Sequence, residues 1–198
     1  MTAQNTRDHL LEVGLKLIHS MGFNATGMKE ILDTAKVPKG SFYHYFPSKE
    51  AYANEVLRLY VQNETKRCGR IFSDPSLPPL ERLRNYFEEL IRVYGPEAET
   101  TGCLMGNLSL EMADHSDTTQ ALLEESFGQW QSAVAALLQE AVDHGDLPVS
   151  TQPDELAEFL LNSYEGALVR SKADRSAKPL TTFLHFAFTA LLSPAGSR

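Results

Sequence analysis

The sequence has little cysteine, no long apolar run and no leader-like N-terminus. Cys68 and Cys103 are its only cysteines, and they lack the close spacing of metal ligands. No run approaches the ~18–20 apolar residues that a bilayer span requires. The N-terminus, MTAQNTRDHLLEVG, lacks the basic patch, apolar run and small-residue cleavage site of a signal peptide. We therefore expect a cytoplasmic protein with no membrane association, in a reducing compartment that disfavours a disulfide.

Signatures of catalysis are also missing from the sequence. It contains neither a nucleophile elbow nor the glycine pattern of a phosphate loop. Its six histidines are spread without the spacing of a metal site: His9, His19, His44, His115, His144 and His185. We therefore expect no metal, no cofactor and no catalytic residue, so the chain is not predicted to be an enzyme.

Basic residues are scarce overall, but they are concentrated near the N-terminus. The formal net charge is -8. Residues 1–72 hold 10 Lys and Arg against 7 Asp and Glu, a balance of +3, whereas residues 73–198 hold 8 against 19, a balance of -11. This asymmetry predicts an N-terminal part that can approach an anion and an acidic remainder that cannot.

Strand signals are almost absent, and apolar residues recur at helical spacing nearly throughout. Turn-rich breaks divide the pattern into nine helices with approximate bounds 6–21, 27–34, 38–46, 49–72, 80–94, 103–113, 118–144, 153–174 and 180–192. Thr6, Thr26 and Ser48 are predicted to cap the first, second and fourth of them. The sequence therefore predicts an all-α fold.

The stretch VPKGSFYHYF, residues 37–46, places rings, a cation and a hydroxyl on one short helix. Two short helices joined by a tight turn and braced by a preceding helix form a helix-turn-helix, whose second helix presents its N-terminal residues to base edges in the major groove. Phe42 and Phe46 lie four residues apart and are expected to anchor this helix in the core. Lys39 and Ser41 fall on its outer side, where an ammonium donates to guanine and a hydroxyl bonds several base edges.

Neighbouring residues complete the predicted DNA surface. Tyr43 shares the outer side of the recognition helix, and Gly40 lets the backbone approach DNA closely. Tyr45 and Lys49 are placed to hold phosphates with a hydroxyl and an ammonium. The N-termini of the second and fourth helices offer backbone N–H groups to the same anions.

The motif T-G-M-K-E-I-L-x-x-A-K-V-P-K-G-S-F-Y-H-Y-F-x-S-K-E-A, which begins at Thr26, resembles the DNA-binding segment of the TetR family of one-component bacterial regulators. The resemblance covers about residues 6–60. It implies phosphate contacts by Thr26, Tyr45 and Lys49, and base contacts by Lys39, Ser41 and Tyr43. Lys36 departs from the pattern, since many members carry glycine at that place in the turn.

The last predicted helix, LTTFLHFAFTALL (180–192), is apolar on nearly every side. A helix of that kind must be covered on every side, and the final helix of a small domain has few partners within its own chain. The resemblance implies a homodimer formed through the last two long helices, about 153–174 and 180–192. The alternative is that the last helix is simply the centre of the bundle.

The segment TGCLMGNLSLEM (101–112) places Cys103 at the expected start of a helix, where the positive end of the helix dipole favours a thiolate. This segment and YEGALVRSK (164–172) resemble the AcuR/NemR-like branch of the family. That resemblance implies a response to small acrylate-like or electrophilic compounds. Cys103 is then a candidate sensing thiol and Lys172 a nearby cation, whereas the alternative is that Cys103 is a buried packing residue.

Four further residues are expected to line a ligand pocket with mainly apolar walls and a few polar groups. They are Met105, Asn107, Trp130 and Tyr164. Trp130 is the strongest of them because a buried indole N–H needs an acceptor. Each residue taken singly is equally compatible with ordinary core packing.

Together these features predict a two-domain regulator. A helix-turn-helix domain occupies residues 1–50, with the motif at about 27–46, and helix 49–72 links it to a ligand-binding and dimerisation domain at 73–198. Such a protein binds a pseudo-palindromic operator as a dimer and is released by a small inducer. The alternatives are an architectural DNA-binding protein without a ligand switch and, less favoured, a small helical enzyme.

Overall fold

The fold is described from a computed structural model for residues 3–98 and 102–192. Within those ranges the chain forms nine α-helices and no strand, which confirms the predicted all-α class. They are α1 (Ala3–Met21), α2 (Met28–Ala35), α3 (Lys39–Tyr45), α4 (Lys49–Phe72), α5 (Pro79–Tyr94), α6 (Leu104–Met112), α7 (Asp117–His144), α8 (Pro153–Asp174) and α9 (Lys178–Phe186), followed directly by a π-helical segment (Ala187–Leu191). None of these described helices has the length and apolarity that crossing a membrane requires.

The caps of the first helices differ in part from those predicted. Because α1 starts at Ala3, Thr6 lies inside the helix and does not cap it. The N-cap of α2 is Gly27, one residue after the predicted Thr26, and it makes no side-chain cap bond. The predicted cap of α4 is confirmed, since the Ala51 N–H donates to Ser48 Oγ at 3.0 Å.

The chain folds as two compact units. The first unit contains the described residues up to Glu64 together with Cys103–Glu125, and the second contains Thr65–Gly102 and the described residues from Ser126 onward. The turn-rich segment SDPSLPP (73–79) predicts a linker and a domain boundary. The observed division differs from it, because α6 and the start of α7 pack with the N-terminal helices. Helices α4 and α7 each contribute to both units, so α4 is not the only helix that runs from one unit into the other.

The first unit is built around a core of aliphatic and aromatic side chains. Leu10 and Ile18 of α1 are fully buried, with Ile31 of α2 and Val56 and Leu57 of α4. Polar bonds attach the segment after α6 to α4. Thr119 Oγ1 donates to Asn54 Oδ1 at 2.9 Å in a buried position, and Ser116 Oγ donates to Glu50 Oε1 at 2.7 Å.

The second unit has an aromatic core contributed by α5, α8 and α9. The ring centroid of Phe87 lies 5.0 Å from that of Phe183 and 5.6 Å from that of Tyr164. The guanidinium of Arg82 is buried beside this core, where it donates to the Phe72 carbonyl and to the Glu140 carboxylate. Arg82 therefore satisfies a carbonyl at the C-terminal end of α4, which the helix itself leaves unpaired.

Candidate functional site

Helix α3 is held in place by a cluster of three aromatic rings on its buried side. Phe42 and Phe46 are buried as predicted, with ring centroids 5.3 Å apart, and the Tyr52 ring of α4 lies within 5.0 Å of both. The buried Tyr52 hydroxyl donates to the Leu10 carbonyl at 2.5 Å, and burial raises its pKa well above the usual range. A seven-residue helix is too short to be stable alone, so this anchor holds α3 in place.

Tyr52, which packs against Gly14 of α1, was not identified from the sequence. A Cβ at Gly14 would lie 2.2 Å from the Tyr52 hydroxyl oxygen. Glycine at this position of α1 therefore permits the close approach of α4. Because Gly14 and Tyr52 are far apart in the sequence, periodicity within either helix cannot reveal their contact.

The outer side of α3 presents the predicted base-reading residues. Lys39 and Gly40 are exposed, Tyr43 is 46% exposed, and Ser41 is half-buried. The Lys39 ammonium lies 5.9 Å from the centroid of the Tyr43 ring, which places both side chains on one face. A Cβ added at Gly40 would have no described atom within 4 Å apart from its own neighbours in the helix, so the backbone there is open to an approaching molecule.

In the turn before α3, Lys36 occupies the position where many family members carry glycine. Lys36 has φ 56° and ψ 39°, the left-handed conformation that favours glycine, and it ends α2. The Val37 N–H donates to the Leu32 carbonyl at 3.1 Å, as in a Schellman motif. The lysine keeps the turn that glycine gives elsewhere, with added backbone strain.

The two predicted phosphate clamps differ in their surroundings. Tyr45 is half-buried beside the rings of His44 and Phe46. Lys49 is also half-buried, and its ammonium donates to the Phe23 carbonyl at 2.6 Å and lies 4.2 Å from the Phe23 ring centroid. Desolvation lowers the Lys49 pKa, and the Glu111 carboxylate offsets part of that effect. Lys49 therefore holds the α1–α2 loop in this conformation.

Thr26 is fully buried, unlike a side chain presented to DNA. Its hydroxyl donates to the Gly22 carbonyl at 2.6 Å, across the loop between α1 and α2. The hydroxyl thereby closes this loop from within. We assign Thr26 a structural role in the loop and leave its side chain out of the proposed DNA contacts.

Cys103 lies immediately before α6 as its N-cap, and its side chain is 5% exposed. The Tyr60 hydroxyl donates to Cys103 Sγ at 3.7 Å, and the Tyr60 ring contacts the buried His19 edge-on at 5.6 Å. The predicted position at a helix start is therefore confirmed, and the buried thiol accepts a hydrogen bond from a hydroxyl. Met105, two residues further along the chain, is buried as well.

The six predicted sensing residues fall into both units. Cys103, Met105 and Asn107 belong to the first unit, and Trp130, Tyr164 and Lys172 to the second. In the second unit the Trp130 and Tyr164 rings meet edge-on at 6.1 Å, and the buried Trp130 indole N–H has no acceptor among the described residues. Lys172 is exposed in the last turn of α8.

An open groove of about 610 Å³ runs along α8 and α9 in the second unit. We name it the α8–α9 groove. None of the six predicted sensing residues lines it; its large apolar lining residues include Phe159, Phe183, Phe186 and Leu191. Phe159 is 54% exposed, Phe186 58% and Leu191 46%, so an apolar face is left uncovered on the helices predicted to form a dimer.

Metal ligation has no support in the described part of the chain. Across residues 3–98 and 102–192, no three His, Cys, Asp or Glu side chains come close enough to hold a metal ion. Cys68 and Cys103 are both buried, and neither forms a disulfide.

Two family models match the chain. Residues 10–56 match the model described as bacterial regulatory proteins of the tetR family, and residues 79–187 match the tetracyclin repressor-like C-terminal domain. The first match contains the exposed face of α3 and its aromatic anchor. The second covers more than half of the chain.

Several characterised proteins are similar over most of their length. The transcriptional repressor DhaR of Mycobacterium sp. (strain GP1) is 35% identical over 97% of this chain and 95% of its own. The transcriptional regulator AcuR of Cereibacter sphaeroides is 36% identical over 88% and 80%, and the repressor NemR of Escherichia coli K12 is 31% identical over 98% of both chains.

Solved structures share the fold. The reduced form of Escherichia coli NemR superimposes with a TM-score of 0.83 at 28% identity, over 98% of this chain and all of that one. A regulatory protein TetR from Rhodobacter sphaeroides gives a TM-score of 0.81 at 36% identity, over 89% and 93%. With both family models matched in order along a helix-turn-helix chain, this protein belongs to the TetR family of bacterial transcriptional regulators.

Proposed function

We propose that the chain is a transcriptional repressor that binds a pseudo-palindromic operator as a homodimer and is released by a small inducer. The observation that carries the proposal is the outer side of α3, where Lys39, Gly40 and Tyr43 are exposed above a buried aromatic anchor. DhaR and NemR are both described as repressors, which supports repression.

The proposed docking places α3 in the major groove. Lys39, Ser41 and Tyr43 read bases because they share the outer side of the helix. Tyr45 holds a phosphate from the edge of α3, and the uncapped N-terminus of α2 offers backbone N–H groups to another. Lys49 holds a phosphate when its ammonium exchanges the Phe23 carbonyl for the DNA backbone.

The proposed homodimer forms through α8 and α9. The exposed rings and aliphatic side chains of the α8–α9 groove leave an apolar surface that a second copy covers. Family regulators pair typically as dimers, and a two-fold dimer matches the symmetry of a pseudo-palindromic operator. Half-site centres are then spaced by a whole number of turns of about 10 base pairs.

The proposed inducer is a small acrylate-like acid or an electrophile, and Cys103 is the proposed sensing thiol. Tyr60 supports a thiolate by donating to Sγ. The thiolate adds to the β-carbon of an activated alkene, a C–S bond replaces the C=C π bond, and the α-carbon takes a proton from water. The product is too large for the packed start of α6. Trp130 offers its indole N–H to a non-covalent ligand in the second unit.

Two alternatives remain as outcomes of experiment. An architectural DNA-binding protein would bind without a ligand response, and a small enzyme would not bind its own upstream DNA. Similarity to named repressors favours a regulator over an enzyme. A cytoplasmic location stays a prediction from the sequence.

The function is tested by a gel shift with the DNA upstream of the protein's own gene. Binding that saturates, falls with salt and yields to competitor operator is expected. Lys39→Ala should cost about 1–3 kcal/mol and relax specificity at one base position, whereas Lys49→Ala should weaken binding to every sequence and reduce the salt slope by about one. Wild-type affinity and selectivity in both variants would exclude the docking of α3.

The sensing role is tested by titrating the operator complex with acrylate-type compounds. Cys103→Ser should retain DNA at concentrations that release the wild type, because serine does not form the adduct. Cys68→Ser is the matched control, since Cys68 is also buried but lies in the second unit. Equal release from the Cys103→Ser protein would leave a non-covalent ligand as the inducer.

A further inference from the structure

The loop between α1 and α2 contains a backbone site for an anion, and a side chain of α6 fills it. The Phe23 N–H donates to Glu111 Oε1 at 3.1 Å, and the Asn24 N–H donates to Glu111 Oε2 at 2.7 Å. Two successive backbone N–H groups that point to one anion form a nest. Both carboxylate oxygens are thus held by a loop 87 and 88 residues away in sequence.

The conformation of Gly22 is matched to this carboxylate. Gly22 has φ +87°, and a Cβ built on it would lie 2.4 Å from Glu111 Oε1. Any other residue would therefore suffer both backbone strain and a clash with the acceptor. The absence of a side chain at Gly22 therefore lets the Glu111 carboxylate pack directly against the main chain of the loop.

Lys49 completes the arrangement from the opposite side of Phe23. Its ammonium donates to the Phe23 carbonyl at 2.6 Å while Glu111 accepts from the Phe23 N–H. The electrostatic attraction between Lys49 and Glu111 joins the two groups further. One peptide segment is thereby fixed between an acid of α6 and the first residue of α4.

We infer that Glu111 is a positioning residue for DNA binding, through which α6 sets the placement of the α1–α2 loop, the N-terminus of α2 and Lys49. The inference rests on DNA binding by α3 and adds a residue that does not touch DNA. Glu111 lies near the end of α6, and Cys103 lies at its start. A displacement of α6 would therefore move the α1–α2 loop through the hydrogen bonds that the Glu111 carboxylate accepts.

A competing effect has the opposite sign, which makes the inference testable. If the carboxylate merely repelled DNA or withheld Lys49 from a phosphate, its removal would strengthen binding and steepen the salt dependence by about one unit. A positioning residue behaves differently. Its loss weakens binding because DNA must then order the loop, and the salt slope stays the same because no phosphate contact is lost.

The experiment compares Glu111→Ala and Glu111→Gln with the wild type on the upstream duplex over a range of salt. Glu111→Ala should bind about tenfold more weakly with an unchanged slope. Glu111→Gln should be intermediate, because its single carbonyl oxygen still accepts one N–H. Glu81→Gln, on the exposed surface of α5, controls for the lost charge, and Leu110→Ala controls for a change on α6, where Leu110 is 84% exposed.

Amide hydrogen exchange supplies a readout that needs no DNA. Exchange at both Phe23 and Asn24 should accelerate in Glu111→Ala, and exchange at one of them in Glu111→Gln. Amides within α1 should stay protected in both variants, which shows that the unit remains folded. Tighter binding with a steeper salt slope, or unchanged loop exchange, would overturn the inference. Failure of the wild type to bind any upstream duplex would instead overturn the DNA-binding function, leaving the exchange result to judge the loop contact.

Discussion

At the scale of single residues, the sequence predicts the exposed side of α3 but not the bonds beneath it. Lys39 and Tyr43 face outward as their spacing predicts, because the buried Phe42 and Phe46 fix the rotation of the helix. The contact of Glu111 with the α1–α2 loop has no comparable signal. Its donors are backbone N–H groups, which every residue except proline carries.

Lys36 provides a prediction at this scale. Lys36→Gly should raise the free energy of unfolding by about 0.5–1 kcal/mol, because it relieves the left-handed conformation at φ 56°. Lys16→Gly makes the same chemical change at an exposed site inside α1 and should lower that free energy by a similar amount. Urea unfolding at one protein concentration measures both. Destabilisation by both substitutions would contradict the strain assigned to Lys36.

At the scale of helices, spacing and turn residues locate every described element within a few residues. The largest difference is at the end of α9, where the predicted helix 180–192 becomes a π-helical segment from Ala187 to Leu191. Periodicity in apolar residues does not distinguish an α-turn from a π-turn. The packing of α6 with the N-terminal helices was not predicted. The segment SDPSLPP indicates a boundary along the chain, but it does not indicate which of the later helices pack with the residues before it.

Arg82 tests how one helix stabilises the end of another. Arg82→Met should lower the free energy of unfolding by about 2–3 kcal/mol, because the Phe72 carbonyl loses its donor and Glu140 loses its partner. Arg92→Met removes a side chain that is 70% exposed from its pair with Glu89, and should leave the free energy of unfolding nearly unchanged. If thermal or urea unfolding gave equal effects for the two variants, the burial of Arg82 would add no stability beyond that of an exposed ion pair.

At the scale of the whole molecule, the charge asymmetry agrees with an N-terminal part that approaches DNA, and the uncovered apolar side of α8 and α9 agrees with the proposed homodimer. The sequence predicts this surface because 180–192 is apolar on several sides, and the structure leaves Phe186 and Leu191 exposed there. The ligand site is less predictable, since Cys103 and Trp130 belong to different units. Linear sequence does not report which unit a residue joins.

The pairing surface is tested with Phe186→Asp. A carboxylate placed in the α8–α9 groove cannot be buried without a partner, so the dimer should weaken by at least about 100-fold and sediment as a monomer at micromolar concentration. Val149→Asp introduces the same group at a site that is 92% exposed outside the groove and should leave the dimer intact. A wild-type monomer at that concentration would contradict the proposed interface.

The attachment of Cys103–Glu125 to the N-terminal helices has a consequence for building hybrid regulators. A fusion made at the SDPSLPP linker would take α1 to α4 from this protein and everything after them from a relative. It would then lose Glu111, Ser116 and Thr119, whose side chains bond to residues of the loop and of α4. A hybrid that takes its DNA-binding helices from this protein therefore also needs residues 103–125 from it. Hybrids fused at the linker alone should bind the operator weakly although they remain folded.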